Sequence, residues 1–191
     1  MSLPSFTYHE PGSLEEVCRV WQDLDGNGAL LAGGTDLLVK MRNRDLDPKI
    51  LVSLGNIPEI HQITLTQSGL VIGAGCTITE IAESEAVGRW FPALSSAAEQ
   101  LGSPSVRNMG TVGGNIVTAS PAADLPPALL AYGAKVRLKS AGKERTVPLE
   151  TLFSGPGKTI LAPGEILVDI HLDIPPERSG AGFFKLGTRK A

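Results

Sequence analysis

Cysteine is scarce. Cys18 and Cys76 are the two in 191 residues, far apart and outside any CxxC. They cannot assemble a zinc knuckle or an iron–sulfur cluster, and they are expected as buried, reduced thiols. Histidine is almost as thin. His9, His61 and His171 stand alone, with no HExxH and no GxSxG serine. Metalloprotease and serine-hydrolase chemistry therefore lack their residues, and each histidine reads as a surface or structural group. Positive charge is not in excess: 17 Lys plus Arg against 20 Asp plus Glu give a net charge of -3. That leaves nothing to neutralise a nucleic-acid backbone. No apolar run approaches the roughly 18 residues that suggest a membrane span. Met1-Ser2-Leu3-Pro4 begins no secretory leader, so cytoplasmic residence is the expectation.

Glycine and proline are plentiful, at 22 and 14 residues, and imply many turns. With 42% apolar and 19% charged residues the chain reads as folded rather than low-complexity. Ser13-Leu14-Glu15-Glu16 has capping-box spacing, and Leu14, Val17, Cys18 and Trp21 place an apolar stripe on the helix it starts. Asp25-Gly26-Asn27-Gly28 ends that helix in a turn. Ala29 to Ala32 reads as a buried strand entering Gly33-Gly34-Thr35-Asp36, after which Leu37 to Met41 is helical, capped by Thr35 or Asp36. Ile50 to Ser53, Ile60 to Leu65 and Leu70 to Gly73 are short strands, and Thr77 to Glu80 is a second capping box. Pro92 fits the first turn of a helix, and Gly102 to Asn115 reads as a long loop. Ala122 to Tyr132 is helix-compatible, while Ala134 to Leu138 and Ile166 to Ile174 alternate as strands do. The mixture argues α+β rather than a regular parallel βαβ repeat, with a boundary near Asn56 to Glu59.

Two nucleotide motifs fail. Gly155-Pro156-Gly157-Lys158-Thr159 lacks the earlier glycine of a phosphate-binding loop, because Leu152 stands there. Gly73-Ala74-Gly75-Cys76-Thr77-Ile78 lacks the third glycine of a dinucleotide fingerprint. Two glycine pairs remain, Gly33-Gly34 and Gly113-Gly114. Paired glycines remove the Cβ barrier to close approach and let backbone N–H groups converge on an anion, or they merely make tight turns. Asp124 can accept from a sugar-like hydroxyl or cap a helix. Arg107 reads as a structural salt-bridge partner.

Taken together, Phe6-Thr7-Tyr8-His9-Glu10-Pro11-Gly12-Ser13-Leu14-Glu15-Glu16, Ala32-Gly33-Gly34-Thr35-Asp36 and Ser105-Val106-Arg107-Asn108-Met109-Gly110-Thr111-Val112-Gly113-Gly114-Asn115-Ile116 resemble the flavoprotein component of molybdenum hydroxylases. That family includes xanthine dehydrogenase, aldehyde oxidase and aerobic carbon monoxide dehydrogenase. The likeness continues through Ala119-Ser120-Pro121-Ala122-Ala123-Asp124-Leu125-Pro126-Pro127, Gly157-Lys158-Thr159 and Phe184-Lys185. It implies an α+β, two-lobed, vanillyl-alcohol-oxidase-like (PCMH-type) FAD-binding fold. Residues 1–57 would form the N-terminal lobe and 58–178 the second, with 179–191 starting a truncated C-terminal domain.

Carried over residue by residue, the resemblance implies FAD contacts from Leu31, Ala32, Gly33, Gly34, Thr35, Asp36 and Leu37, and from Thr111, Val112, Gly113, Gly114 and Asn115. Asp124 matches a polar flavin contact, Leu101 and Leu167 match positions flanking the flavin or the adenine side, and Lys185 matches a basic residue near the cofactor. The implied role is FAD-dependent electron relay without catalytic acid–base or metal residues on this chain. Electrons would come from an iron–sulfur subunit, fed by a molybdenum-cofactor subunit, and leave to an acceptor such as NAD or oxygen. A non-catalytic assembly module and a stand-alone flavin oxidase are the rival readings.

Overall fold

The computed structural model describes residues 3–24 and 26–186. Strand β1 (Thr7–His9) leads into helix α1 (Leu14–Asp23). The Ser13 side chain caps α1 by accepting from the Glu16 N–H at 3.3 Å. The Glu16 carboxylate does not close the reciprocal half of the box on Ser13; it accepts from Gly12 N–H at 3.0 Å, one residue earlier. Strand β2 (Gly28–Leu31), helix α2 (Leu37–Asn43) and strand β3 (Ile50–Ser53) follow. These strands form a three-stranded sheet in the order β1-β3-β2, and both pairings are parallel. This N-terminal unit is thus a small parallel sheet with helical crossovers, a short stretch of the βαβ pattern within a chain whose larger sheet is antiparallel. Its strands are only three or four residues long, too short for their pattern to reveal the pairing.

A single 3-10 turn at Pro58–Ile60 leads to β4 (Ile63–Leu65) and β5 (Gly69–Gly73). The helices α3 (Ile78–Glu83), α4 (Glu85–Trp90) and α5 (Pro92–Glu99) come next. Thr77 and Glu80 make a complete capping box at α3, and Pro92 occupies the first turn of α5 as its fixed φ favours. The Gly102–Asn115 stretch is not a loop. It holds α6 (Pro104–Met109) and the start of α7 (Val112–Val117), whose caps Ser103 and Thr111 accept from the N–H groups of Val106 and Gly114. Flanking glycines with Ser105 and Asn108 concealed α6, and the internal Gly113-Gly114 concealed α7; local capping by Ser103 and Thr111 outweighs weak propensity over a turn or two.

After α8 (Leu125–Ala131) come β6 (Lys135–Ser140), β7 (Lys143–Pro148), α9 (Leu149–Leu152) and a small hairpin of β8 (Phe153–Gly155) and β9 (Lys158–Thr159). The failed phosphate-loop sequence is the turn of that hairpin, with Gly157 at φ +68°. Strand β10 (Ile166–Asp173) then inserts between β5 and β6, giving an antiparallel sheet in the order β4-β5-β10-β6-β7. Being central, β10 is buried over most of its length instead of alternating. A register shift between Leu167 and Asp169 adds a bulge at Val168, whose carbonyl accepts from Ala74 N–H at 2.8 Å. Residues 181–186 carry no regular element, and the rest of the expected new element lies outside the described residues.

The main core packs one face of the five-stranded sheet against α3, α4, α5, α7 and α8. A second cluster joins Leu14, Val17 and Cys18 of α1 to Ile57, Ile60, Ile166 and Val168. Helix α1 therefore stitches the parallel sheet to the antiparallel one. Both cysteines are free and buried, as expected. His61 Nε2 lies 3.2 Å from the Leu54 carbonyl, and His171 Nε2 lies 2.7 Å from Asp169 Oδ1. Asp169, only 5% exposed, also takes two hydrogen bonds from Arg137 Nε at 3.0 and 2.9 Å and another from Nη2. Among the described residues no helix is long and apolar enough to cross a membrane, and no cluster of His, Cys, Asp and Glu is arranged to hold a metal.

Candidate functional site

The chain leaves β2 at Leu31 and turns through Gly34, whose φ of +74° suits glycine, before α2 starts. Asp36 stands at the N-cap of α2, yet neither it nor Thr35 caps the helix with its side chain. The Asp36 carboxylate instead faces Thr118 Oγ1, 3.5 Å away. The backbone N–H groups of Gly33, Gly34, Thr35 and Asp36 find no hydrogen-bond partner among the described residues. Four adjacent donors without internal partners form a surface suited to an anion.

The second glycine pair is built differently. Val112 N–H donates to Cys76 O at 2.9 Å, Gly113 N–H to Ala74 O at 2.8 Å and Asn115 N–H to Thr111 O at 2.9 Å. Gly114 N–H goes to Thr111 Oγ1 at 3.1 Å. Of the two readings left open for the glycine pairs, converging N–H groups or a tight turn, the first does not hold at Gly113-Gly114: the N–H groups of 112–115 are consumed in pairing along 74–76 and in capping and starting α7. A Cβ on Gly113 would sit 2.7 Å from both Cβ and O of Ala74, so this glycine exists for packing. A Cβ on Gly114 would meet nothing within 4 Å except Thr111 Oγ1 at 3.0 Å, which leaves its open side to the cleft.

Between the two segments lies a cleft of about 530 Å³. Ala32, Gly33, Gly34, Thr35, Asp36, Leu37, Leu101, Thr111, Gly114, Asn115 and Asp124 all line it. Five other residues singled out in the sequence are not among its lining. Leu31 ends β2, while Val112 and Gly113 are buried behind Gly114. Leu167 is 6% exposed in the main core, on β10 next to the bulge. Lys185 reaches the cleft edge by donating to Asp124 Oδ2 at 2.8 Å and to Gln100 O at 3.1 Å. Asp124 makes no side-chain cap to α8, which removes the helix-cap alternative. Arg107 forms no ion pair with a described residue; its Nη1 donates to the carbonyls of Leu101 and Gly102 at 3.1 Å each, holding the turn at Gly102 (φ +48°). Lys40, Leu46 and Thr118 also line the cleft, and their spacing gave no signal of it.

The donor set suits FAD. Asn115 Oδ1 is buried without a hydrogen-bond partner and borders the cleft, which is where a ligand hydroxyl or amide would satisfy it. The unpartnered N–H groups of 33–36 suit a diphosphate bridge, and Gly114 permits close approach. The cleft has the size range of a cofactor site.

Residues 4–175 match the family described as FAD binding domain in molybdopterin dehydrogenase. The xanthine dehydrogenase FAD-binding subunit of Escherichia coli O157:H7 is 35% identical over 187 residues, covering 97% of this chain and 64% of that protein. The nicotinate dehydrogenase FAD-subunit of Eubacterium barkeri is 33% identical over 193 residues, 99% of this chain and 65% of its own length. The solved carbon monoxide dehydrogenase of Hydrogenophaga pseudoflava superimposes with a TM-score of 0.96 at 34% identity, covering 100% of this chain and 66% of that one. The chain thus spans just under two thirds of the length of these relatives. It has their mixed α and β architecture, and it belongs to the family of FAD-binding domains of molybdopterin dehydrogenases.

Proposed function

We propose that the cleft holds FAD and that the chain is the flavin-bearing part of a molybdenum hydroxylase. Electrons would arrive from an iron–sulfur subunit, itself fed by a molybdenum-cofactor subunit, and leave to an external acceptor such as NAD or oxygen. The observation that carries this reading is that one cleft is lined both by Gly33 to Asp36, whose four N–H groups have no partner among the described residues, and by Asn115, whose buried Oδ1 is unsatisfied. Bound FAD supplies the redox chemistry, and the protein supplies position and electrostatics.

The N–H groups of 33–36 would take the diphosphate bridge, while Thr111 and Asn115 would contribute side-chain contacts and Gly114 the close approach. Asp124, oriented by Lys185, would accept from a cofactor hydroxyl. Leu101 would lie against an apolar part of the cofactor. Leu37 would form part of the cleft wall, and Leu31, Val112, Gly113 and Leu167 would act by shaping the walls behind these groups. The site would lie between a PCMH-type pair of lobes, 1–57 and 58–178, a division supported by the confinement of one sheet to residues 7–53 and the other to 63–173.

The test is titration of FAD into the purified chain, followed by flavin fluorescence and visible absorption. Stoichiometric binding is expected, with oxidation of purines, aldehydes or carbon monoxide absent until iron–sulfur and molybdenum subunits are added. A chain that ignores saturating FAD overturns the cofactor assignment. Turnover of an organic substrate by the FAD-loaded chain alone overturns the relay role.

A further inference from the structure

We infer that Lys40 is the residue that neutralises the anionic bridge of the bound dinucleotide and makes its binding dependent on charge, an inference that rests on the reading of the cleft as an FAD site. Three charged side chains line the cleft: Asp36, Lys40 and Asp124. Asp124 is already matched by Lys185 at 2.8 Å. Lys40 forms no ion pair with any described residue. The neighbouring cations are committed elsewhere, Lys185 to Asp124 and Gln100 O, and Arg107 to the carbonyls of Leu101 and Gly102.

A diphosphate bridge brings about two negative charges into this setting. The N–H groups of 33–36 orient it but carry no net charge, and the Asp36 carboxylate beside them opposes it. Lys40 follows Asp36 by four residues on α2, so the two side chains project from the same face of that helix. The main chain of Lys40 is held firmly. Its carbonyl accepts from Asp45 N–H at 2.9 Å and Leu46 N–H at 3.4 Å, closing α2 through Arg44 at φ 68°. That closure also returns Leu46 to the cleft wall. Lys40 thus lines the cleft from an anchored backbone position, and its side chain is paired with no carboxylate of the described residues.

The experiment titrates FAD and the uncharged riboflavin into the full chain and into Lys40→Met and Lys40→Arg, at low and high ionic strength, with flavin fluorescence as the readout. The parent should bind FAD less tightly as salt rises. Lys40→Met should bind FAD about tenfold more weakly at low salt, with a flattened salt dependence, whereas Lys40→Arg should keep most of both. Riboflavin affinity and the melting midpoint of the unliganded chain should be the same in all three. If the parent binds FAD and Lys40→Met matches its affinity and salt dependence, the role of Lys40 is overturned while the FAD site stands. A parent that binds no FAD overturns both.

Discussion

A Cβ on Gly33 would land on the carbonyl oxygen of Met109, because the first glycine turn packs backbone to backbone against the end of α6. Gly33 is therefore a structural contact between the two cleft walls as well as a member of the N–H surface. Gly33→Ala should cost about 1–3 kcal/mol of stability, as overpacking against rigid backbone does, and should abolish FAD binding by parting the walls. Gly114 makes the contrast. Its Cβ would press only on the Thr111 hydroxyl, and it lies within α7, where alanine is the better helix former. Gly114→Ala should melt within a few degrees of the parent yet lose FAD. Calorimetry and flavin titration on the pair separate packing from ligand approach; equal melting losses would remove the distinction.

Asp124 and Lys185 form an ion pair 2.8 Å long in which the lysine side chain is 35% exposed. A pair of that exposure contributes roughly 0–1 kcal/mol to stability. Asp124→Ala and Lys185→Ala should each leave the melting midpoint of the unliganded chain nearly unchanged. Asp124→Ala should nevertheless weaken FAD by severalfold, through loss of a hydrogen bond worth about 0.5–1.5 kcal/mol. A large stability loss without an effect on FAD would make the aspartate a structural residue.

Asp169 is the opposite case. It is nearly buried and holds both the Arg137 guanidinium and His171. Asp169→Ala leaves a half-buried guanidinium without its main counter-ion, and should cost about 3 kcal/mol. Because this network is formed on β10, β6 and β7 and none of its members lines the cleft, the FAD affinity of the folded fraction should be unaltered. Denaturant unfolding with and without FAD checks both halves.

The helix starts and turns that frame the cleft were legible in the sequence because they follow from local rules, whereas the cleft residues themselves were named through the family resemblance. Ser13, Thr77 and Pro92 mark helix starts that depend on nearby backbone alone, and Gly34 requires its positive φ. What escaped depends on distant partners. The parallel pairing of β1, β3 and β2 is set by which strand packs beside which, not by their composition. The burial of Gly113 follows from Ala74 lying against it, and the spending of the second segment's N–H groups follows from the carbonyls of Ala74 and Cys76. Lys40 reads in sequence as one more exposed helix lysine; only the fold of 44–46 and the commitment of other cations make it distinctive.

Cys76 lies 1% exposed behind the cleft, its carbonyl receiving Val112 N–H. Burial, aided by the nearby Glu80 charge, pushes its thiol from the ordinary 9.0 up to about 11. The folded chain therefore keeps this proton at a pH where the unfolded chain has lost it. Its contribution to stability is fully present below pH 9.0 and disappears as pH climbs toward about 11. Two results are expected. The native chain should not react with iodoacetamide at Cys76 near neutral pH, since the reactive thiolate is neither formed nor accessible, and alkylation should appear only on unfolding. The melting midpoint should fall between pH 9.0 and about 11 in the parent and fall less in Cys76→Ala. Cys18, also buried and raised, supplies a similar but separate component, so the comparison is made within a Cys18→Ala background. Identical pH profiles for the two proteins in that background would show that ionisation of Cys76 is not linked to folding.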